Sequence, residues 1–135
     1  MSGMTDNCLV LDTNAVIFLN TKGNVIPNDL ENELNRSELF ISVITRMELA
    51  AKQDMKPEEE EAIRDFLADV TVSPLDEEVE RKAVEIRRTT KIKLPDCIIA
   101  ATAIVLDAVL VTNDVHLLHL SRPDFNVRAV ITTNS

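Results

Sequence analysis

Short apolar runs alternate along the chain with longer stretches whose apolar positions recur at helical spacing. Cys8 to Leu11 (CLVL) is an apolar run closed by Asp12, and it reads as a buried strand followed by a turn. Ala15 to Asn20 reads as a short helix with Asn14 near its cap, and a polar stretch with Gly23 and Pro27 separates it from a helical segment, Asp29 to Ser37. Leu39 to Ile41 is a second short strand, after which Ser42 caps a helix running to about Lys52.

The second half repeats the alternation. Pro57 followed by four glutamates is a strong helix start, because proline suits the first turn and negative charge suits the positive end of the helix dipole. Ile63, Phe66, Leu67 and Val70 then recur at helical spacing. Thr71 to Ser73 is a brief third strand, and Asp76 starts a helix with the stripe Val79, Ala83 and Ile86. Pro95 and Asp96 open a helix, CIIAATAIVL, that is apolar on nearly every side and therefore central. Val109 to Val111 is a strand, Asn113 or Asp114 caps a short helix to about Leu120, and Val127 to Ile131 is the last strand. Strands alternating with helices predict a three-layer α/β/α single domain over residues 1–135, with a central, mainly parallel sheet.

Composition agrees with one soluble domain: 135 residues, 45% hydrophobic and 27% charged, with 2 Gly and 5 Pro, leave little room for long loops or repeats. The uncharged run from Cys97 to Leu106 is about half the length that a membrane-spanning helix needs. No basic segment precedes a signal-like core, so a cytoplasmic protein away from membranes is expected. Cys8 and Cys97 both lie in apolar runs and read as core residues in a reducing compartment.

Charge is distributed unevenly. The net charge of −9 opposes nucleic-acid binding in general, but 11 of the 23 acids lie between Asp54 and Glu80, while six of the 14 bases lie between Arg81 and Lys93. A basic segment thus leads into Asp96. It reads either as a positive face beside a cleft or as a solvated helix whose bases answer its own Glu78, Glu80 and Glu85.

Four acids stand in or beside apolar elements: Asp12, Glu48, Asp96 and Asp114. Each alone has an ordinary reading, as a helix cap or turn for the three aspartates and as an i,i+4 partner of Lys52 for Glu48. Together they follow elements on one edge of the predicted sheet, the edge where such sheets bind ligands. Two carboxylates about 5 Å apart repel by roughly 3 kcal/mol at an effective dielectric of about 20, so four of them must share protons or bind cations. Oxygen ligands suit Mg²⁺ or Mn²⁺, which can activate a bound water and neutralise charge developing on a phosphoryl oxygen.

The segments around these acids are Leu-Asp-Thr-Asn (Leu11 to Asn14), Ser-Val-Ile-Thr-Arg-Met-Glu-Leu (Ser42 to Leu49), Pro-Asp-Cys-Ile-Ile-Ala-Ala-Thr-Ala (Pro95 to Ala103) and Leu-Val-Thr-Asn-Asp (Leu110 to Asp114). In composition, order and spacing they resemble the PIN-domain ribonucleases, and within them the VapC-type toxins of toxin-antitoxin pairs, over nearly the whole chain. The resemblance implies a divalent-metal-dependent endoribonuclease with Asp12, Glu48, Asp96 and Asp114 as its catalytic, Mg²⁺- or Mn²⁺-binding acids. It also implies support from Thr112, holding a water or carboxylate, and from Asn14, hydrogen-bonded to Asp12. An RNA substrate, a homodimer and a small antitoxin partner are implied as well. Arg46, Arg87, Arg88, Lys91 and Lys93 are the candidate RNA-binding residues. The chain departs from the pattern after Asp114: such toxins often continue with a further acid and a Phe, whereas here Val115-His116-Leu117-Leu118 follows. His116 reads as a helix-surface residue, and with His119 at i,i+3 it makes only a weak zinc motif.

With no Trp, no Tyr and 4 Phe, base stacking has few platforms, so recognition by shape and phosphate placement is expected. Two other readings remain: a phosphohydrolase forming an aspartyl-phosphate at Asp12, and a non-catalytic interaction domain on the same fold. The first usually wants an acid two residues on, where this chain has Asn14.

Overall fold

The computed structural model describes residues 7–131. Five strands, β1 (Cys8–Leu11), β2 (Glu38–Ser42), β3 (Thr71–Ser73), β4 (Val109–Val111) and β5 (Asn126–Arg128), form one sheet in the order β3-β2-β1-β4-β5. Every pairing is parallel, so the sheet is wholly rather than mainly parallel. Among the described residues seven helices connect the strands: α1 (Thr13–Leu19), α2 (Asn28–Arg36), α3 (Val43–Ala51), α4 (Pro57–Leu67), α5 (Glu77–Thr89), α6 (Leu94–Val105) and α7 (Val115–Leu118).

Strand alternation sorts the core into two layers. Leu9 and Leu11 of β1, Ile41 of β2 and Val111 of β4 pack with Ala15, Val16, Leu30, Leu49 and Ile63, from α1 to α4. Val10 and Leu110 face the other way, onto Val79, Ala83 and Ile86 of α5 and the apolar residues of α6. The run from Cys97 to Ala103 is buried throughout, as its lack of a polar face predicts, and α5 packs along it. Cys97 is fully buried, its Sγ 3.4 Å from the Ile92 carbonyl, and burial pushes its thiol up; Cys8 is half-buried and also free.

The chain builds outward from β1 to β3, then returns to place β4 on the other side of β1. The connection therefore reverses between β1 and β4, and a crevice opens there at the carboxyl ends of the strands. Asp12 follows β1 and Asp114 lies beyond β4 at that crevice, and the Asp12 N–H donates to Val111 O at 3.2 Å.

Local chemistry sets the helix ends. Ser42 accepts from Ile44 N–H, Asp76 from Val79 N–H, and Asp114 from the N–H groups of both His116 and Leu117. Helix α6 ends in a Schellman turn, with Ala108 N–H to Ala103 O at 2.8 Å and Asp107 N–H to Ile104 O at 3.0 Å. Asp107 takes the left-handed position, φ 54°, that glycine usually fills.

Two sequence expectations are corrected. Helix α1 is capped by Asp12, which accepts from Ala15 N–H, and Asn14 lies inside its first turn. Strand β5 covers Asn126–Arg128 rather than Val127 to Ile131, because the N–H groups of Val130 and Ile131 donate to the Asn113 side chain, at 2.9 and 3.1 Å, instead of continuing a ladder.

Candidate active site

Asp12, Glu48, Asp96 and Asp114, from four separate elements, line one open cleft of about 440 Å³, with Asn14 and Lys52 also on its wall. Asp12 is the deepest of them, 5% exposed, because β1 is the central strand and delivers its next residue under the sheet edge. Both its oxygens are held. Oδ1 accepts from Ala15 N–H at 2.7 Å, and Oδ2 accepts from the hydroxyl of Thr112, itself fully buried beyond β4. Thr112 Oγ1 in turn accepts from Asp114 N–H at 2.9 Å, so one threonine links the acid after β1 to the acid after β4.

Asp96 stands in the first turn of α6, half-buried, where the proline-led helix start aims it across the cleft. Glu48 projects from α3 and is the most exposed of the four, with Thr13 donating to its Oε1. The Thr13 hydroxyl also lies 3.3 Å from that of buried Thr45, which ties α1 to α3.

Burial pushes the Asp12 carboxyl above its usual range, and the charges of Asp96 and Asp114 push the same way against the Thr112 and Ala15 hydrogen bonds. Burial likewise raises Asp96, reinforced by Asp114 and Glu48 and opposed by Lys93 and His116. The four acids thus share one field, which favours uptake of positive charge.

Among the described residues no three acidic, histidine or cysteine side chains are drawn into a ready-made ligand cage. Mg²⁺ commonly takes one or two carboxylates and keeps several waters, so an open cleft with carboxylates around its wall fits a hydrated divalent cation. It does not fit zinc, which wants nitrogen or sulfur ligands: His116 lines a different cavity and Cys97 is buried in the core.

This geometry accompanies a match to the PIN domain family model over residues 9–123. The chain belongs to the PIN domain family. No curated protein matches it in sequence. Among solved structures, this PIN domain is similar to a chain of the DNA-bound VapBC from Salmonella typhimurium, at 27% identity and a TM-score of 0.72, covering 93% of this chain and 99% of that one. It is also similar to a chain of a toxin-antitoxin complex from Klebsiella pneumoniae, at 25% identity and a TM-score of 0.70, with 93% and 99% covered. VapBC2 from Rickettsia felis, bound to a DNA fragment from its promoter, shares the fold at 21% identity and a TM-score of 0.72, with 90% and 98% covered. The resemblance read from the four sequence segments thus extends to the three-dimensional fold.

The structure distributes the other sequence candidates unevenly around this PIN domain. Asn14 lines the cleft but makes no hydrogen bond to Asp12; Thr112 and Ala15 take that part. Arg46 lies outside the cleft, in a groove between α3 and α4 with Leu49, Ile63 and Arg64. Arg87, Arg88, Lys91 and Lys93 are all exposed where α5 gives way to α6, and none lines the acidic cleft itself. Among the described residues none of these four forms an ion pair, whereas Arg81 and Lys82 pair with Glu77, Glu85 and Asp124. The basic segment therefore divides: its first turns answer acids, and its end leaves positive charge unpaired.

Two residues of the site escaped sequence reasoning. Thr13 looks like a plain helix-start residue, and its reach to Glu48 depends on how α1 and α3 pack. Lys52 reads as the partner of Glu48, but among the described residues it forms no ion pair and lines the cleft instead.

Proposed function

We propose that this PIN domain is a divalent-metal-dependent endoribonuclease, the toxin of a toxin-antitoxin pair, with residues 1–135 acting as one nuclease domain in the cytoplasm. The observation that carries the reading is the convergence of Asp12, Glu48, Asp96 and Asp114, from four elements, on one cleft at the switch point of a parallel sheet. Asp12, Asp96 and Asp114 would hold Mg²⁺ or Mn²⁺, and Glu48 would complete the site. When bound, such an ion supplies Lewis acidity, activating water and neutralising charge that develops on a phosphoryl oxygen.

The protein's own groups do the rest. Thr112 and the Ala15 N–H fix both oxygens of Asp12, so its carboxylate is presented in one orientation. Thr13 orients Glu48, which stands exposed where it can accept a proton from an attacking water. Lys52 places a cation on the cleft wall where a phosphate oxygen would approach.

The partner side of the reading rests on the company the fold keeps. The Salmonella and Klebsiella relatives are parts of VapBC or toxin-antitoxin complexes. We take the same arrangement for this chain: a homodimer bound by a small antitoxin, with a basic group able to answer the acidic cleft. The aspartyl-phosphate alternative is disfavoured because Asp12 is buried and both its oxygens already accept hydrogen bonds.

The test is cleavage of RNA by the purified protein. Mg²⁺ or Mn²⁺ should support cutting, EDTA should stop it, and Asp12→Asn or Asp96→Asn should reduce it by at least about a hundredfold, the scale expected when a group essential to charge stabilisation is lost. Cutting that persists in EDTA or in both variants overturns the mechanism. Mapping 5′ ends of cellular RNA after brief expression, against Asp12→Asn, then identifies the substrate.

A further inference from the structure

An acidic cleft on a protein of net charge −9 repels the nucleic acid it is proposed to cut, so the RNA needs a cationic approach. Beyond α7 lies a second cavity, about 380 Å³, lined by Thr90, Lys91, His116, His119 and Ser121 over an apolar floor of Ile92 and Leu120. It contains no acid. Its donors come from two elements: the loop between α5 and α6, and the α7 turn with its exit.

Three observations place this cavity on the route into the cleft. The loop that supplies Lys91 continues through Lys93 into Asp96, and the turn that supplies His116 is locked to Asp114 by a 2.8 Å bond from the His116 N–H. The two walls of the cavity are therefore the continuations of two walls of the acidic cleft. Arg87, Arg88, Lys91 and Lys93 follow one another, exposed, where α5 passes into α6 and form no ion pairs among the described residues, and the Arg87 guanidinium is turned onto Thr90 O, a cavity residue, at 3.1 Å. Finally, an imidazole keeps an N–H donor in either protonation state, and Lys, Ser and Thr add others, which matches the oxygens of a phosphodiester.

We propose that the cavity between the α5–α6 loop and α7 is a phosphate subsite that holds the backbone of the RNA strand next to the scissile bond, with Lys91 and His119 as its principal contacts. It rests on the nuclease reading above and gives the strand a direction, from the acidic cleft over His116 into this cavity. With no Trp or Tyr in the chain, backbone contacts of this kind carry a larger share of binding than base stacking does.

The test is fluorescence anisotropy of a labelled single-stranded RNA with Mg²⁺, in an Asp96→Asn background that blocks cutting. Adding Lys91→Ala or His119→Ala should weaken binding about three- to tenfold, and Lys91→Ala should lower the salt slope by about 0.7, the value for one single-strand phosphate contact. Arg36→Ala, exposed at the end of α2 where the chain enters the amino end of β2, away from the carboxyl-end cleft, should leave both unchanged. With the native acids restored, both cavity variants should keep the rise in Tm on adding Mg²⁺, which shows an intact cleft. Equal RNA affinity and salt slope in parent and cavity variants would overturn the subsite. So would backbone amide signals of Lys91 and His119 that move with inorganic phosphate but not with RNA, which would mark a free-anion site. Failure of the nuclease reading is separate, since it appears as cleavage indifferent to EDTA.

Discussion

Thr112 and Asp12 are a hundred residues apart in sequence, and the threonine hydroxyl donates to the Oδ2 of the aspartate inside the fold. The same oxygen of Thr112 accepts the Asp114 N–H, so one buried side chain sets the spacing of two acids across the β1–β4 crevice.

Thr112→Val keeps the shape and removes the hydroxyl. It leaves a buried carboxylate oxygen and a backbone N–H without their partner, and should cost about 1–3 kcal/mol in urea unfolding. Thr112→Ser should recover most of that loss. Equal stability of the valine variant and wild type would mean that the bond contributes nothing.

Asp96→Asn should make the metal-free protein more stable at neutral pH. The folded-state values of Asp12 and Asp96 lie above their unfolded ones, so the folded state holds more protons and loses stability as pH rises through the raised values. Removing the Asp96 charge should raise Tm by roughly 3–5 °C, about 1 kcal/mol for a domain of this size. The advantage should shrink as pH falls through the raised folded-state values, where the wild-type carboxyls protonate. Wild type should gain Tm from millimolar Mg²⁺, and the variant should gain much less. Scanning calorimetry in EDTA and in Mg²⁺ between about pH 4 and 8 checks both signs.

Arg122 should matter for acid stability in the opposite direction. It bonds Asp124 and Glu85, and Lys82 reaches the same two acids, tying the turn before β5 to α5. The Arg122 hydrogen bond holds the Asp124 carboxyl well below the usual carboxylate range. Its stabilisation is therefore complete above the unfolded value and lost as pH falls through the folded one. Arg122→Gln should cost at most about 1 kcal/mol, because Asp124 is partly exposed and water screens the pair. The cost should fall in about 1 M salt. A salt-independent loss would point to packing of the Arg122 stem instead.

Asp107→Gly should stabilise the protein. The residue closes the Schellman turn of α6 with a left-handed backbone, a conformation that costs a side-chain-bearing residue about 1 kcal/mol and glycine almost none. Glycine is also freer when unfolded, so the net gain should be about 0.5 kcal/mol, readable as a higher urea midpoint. A loss of stability would mean that the Asp107 side chain contributes more than its backbone costs.

The course of the chain was legible where periodicity and caps agreed. The strands at Thr71–Ser73 and Val109–Val111, the proline-led start of α4 and the caps at Ser42 and Asp76 all stand where the pattern puts them. It failed where two local solutions were equally good. In Leu-Asp-Thr-Asn both Asp12 and Asn14 are good caps, and only the placement of β1 against β4 selects Asp12. Val127 to Ile131 looks like a strand, but Asn113 takes the N–H groups that a longer strand would need.

The candidate site divides in the same way. Residue type and position beside apolar elements, repeated four times on one predicted sheet edge, determined which four acids matter, although each alone reads as a cap or an i,i+4 partner. Their convergence, the hold of Thr112 on Asp12 and of Thr13 on Glu48, and the exclusion of Arg46 from the cleft were decided by tertiary structure alone. Periodicity records which face of an element is buried, whereas a site at a sheet edge depends on which elements lie side by side. That order, β3-β2-β1-β4-β5, comes from packing both faces of the sheet at once.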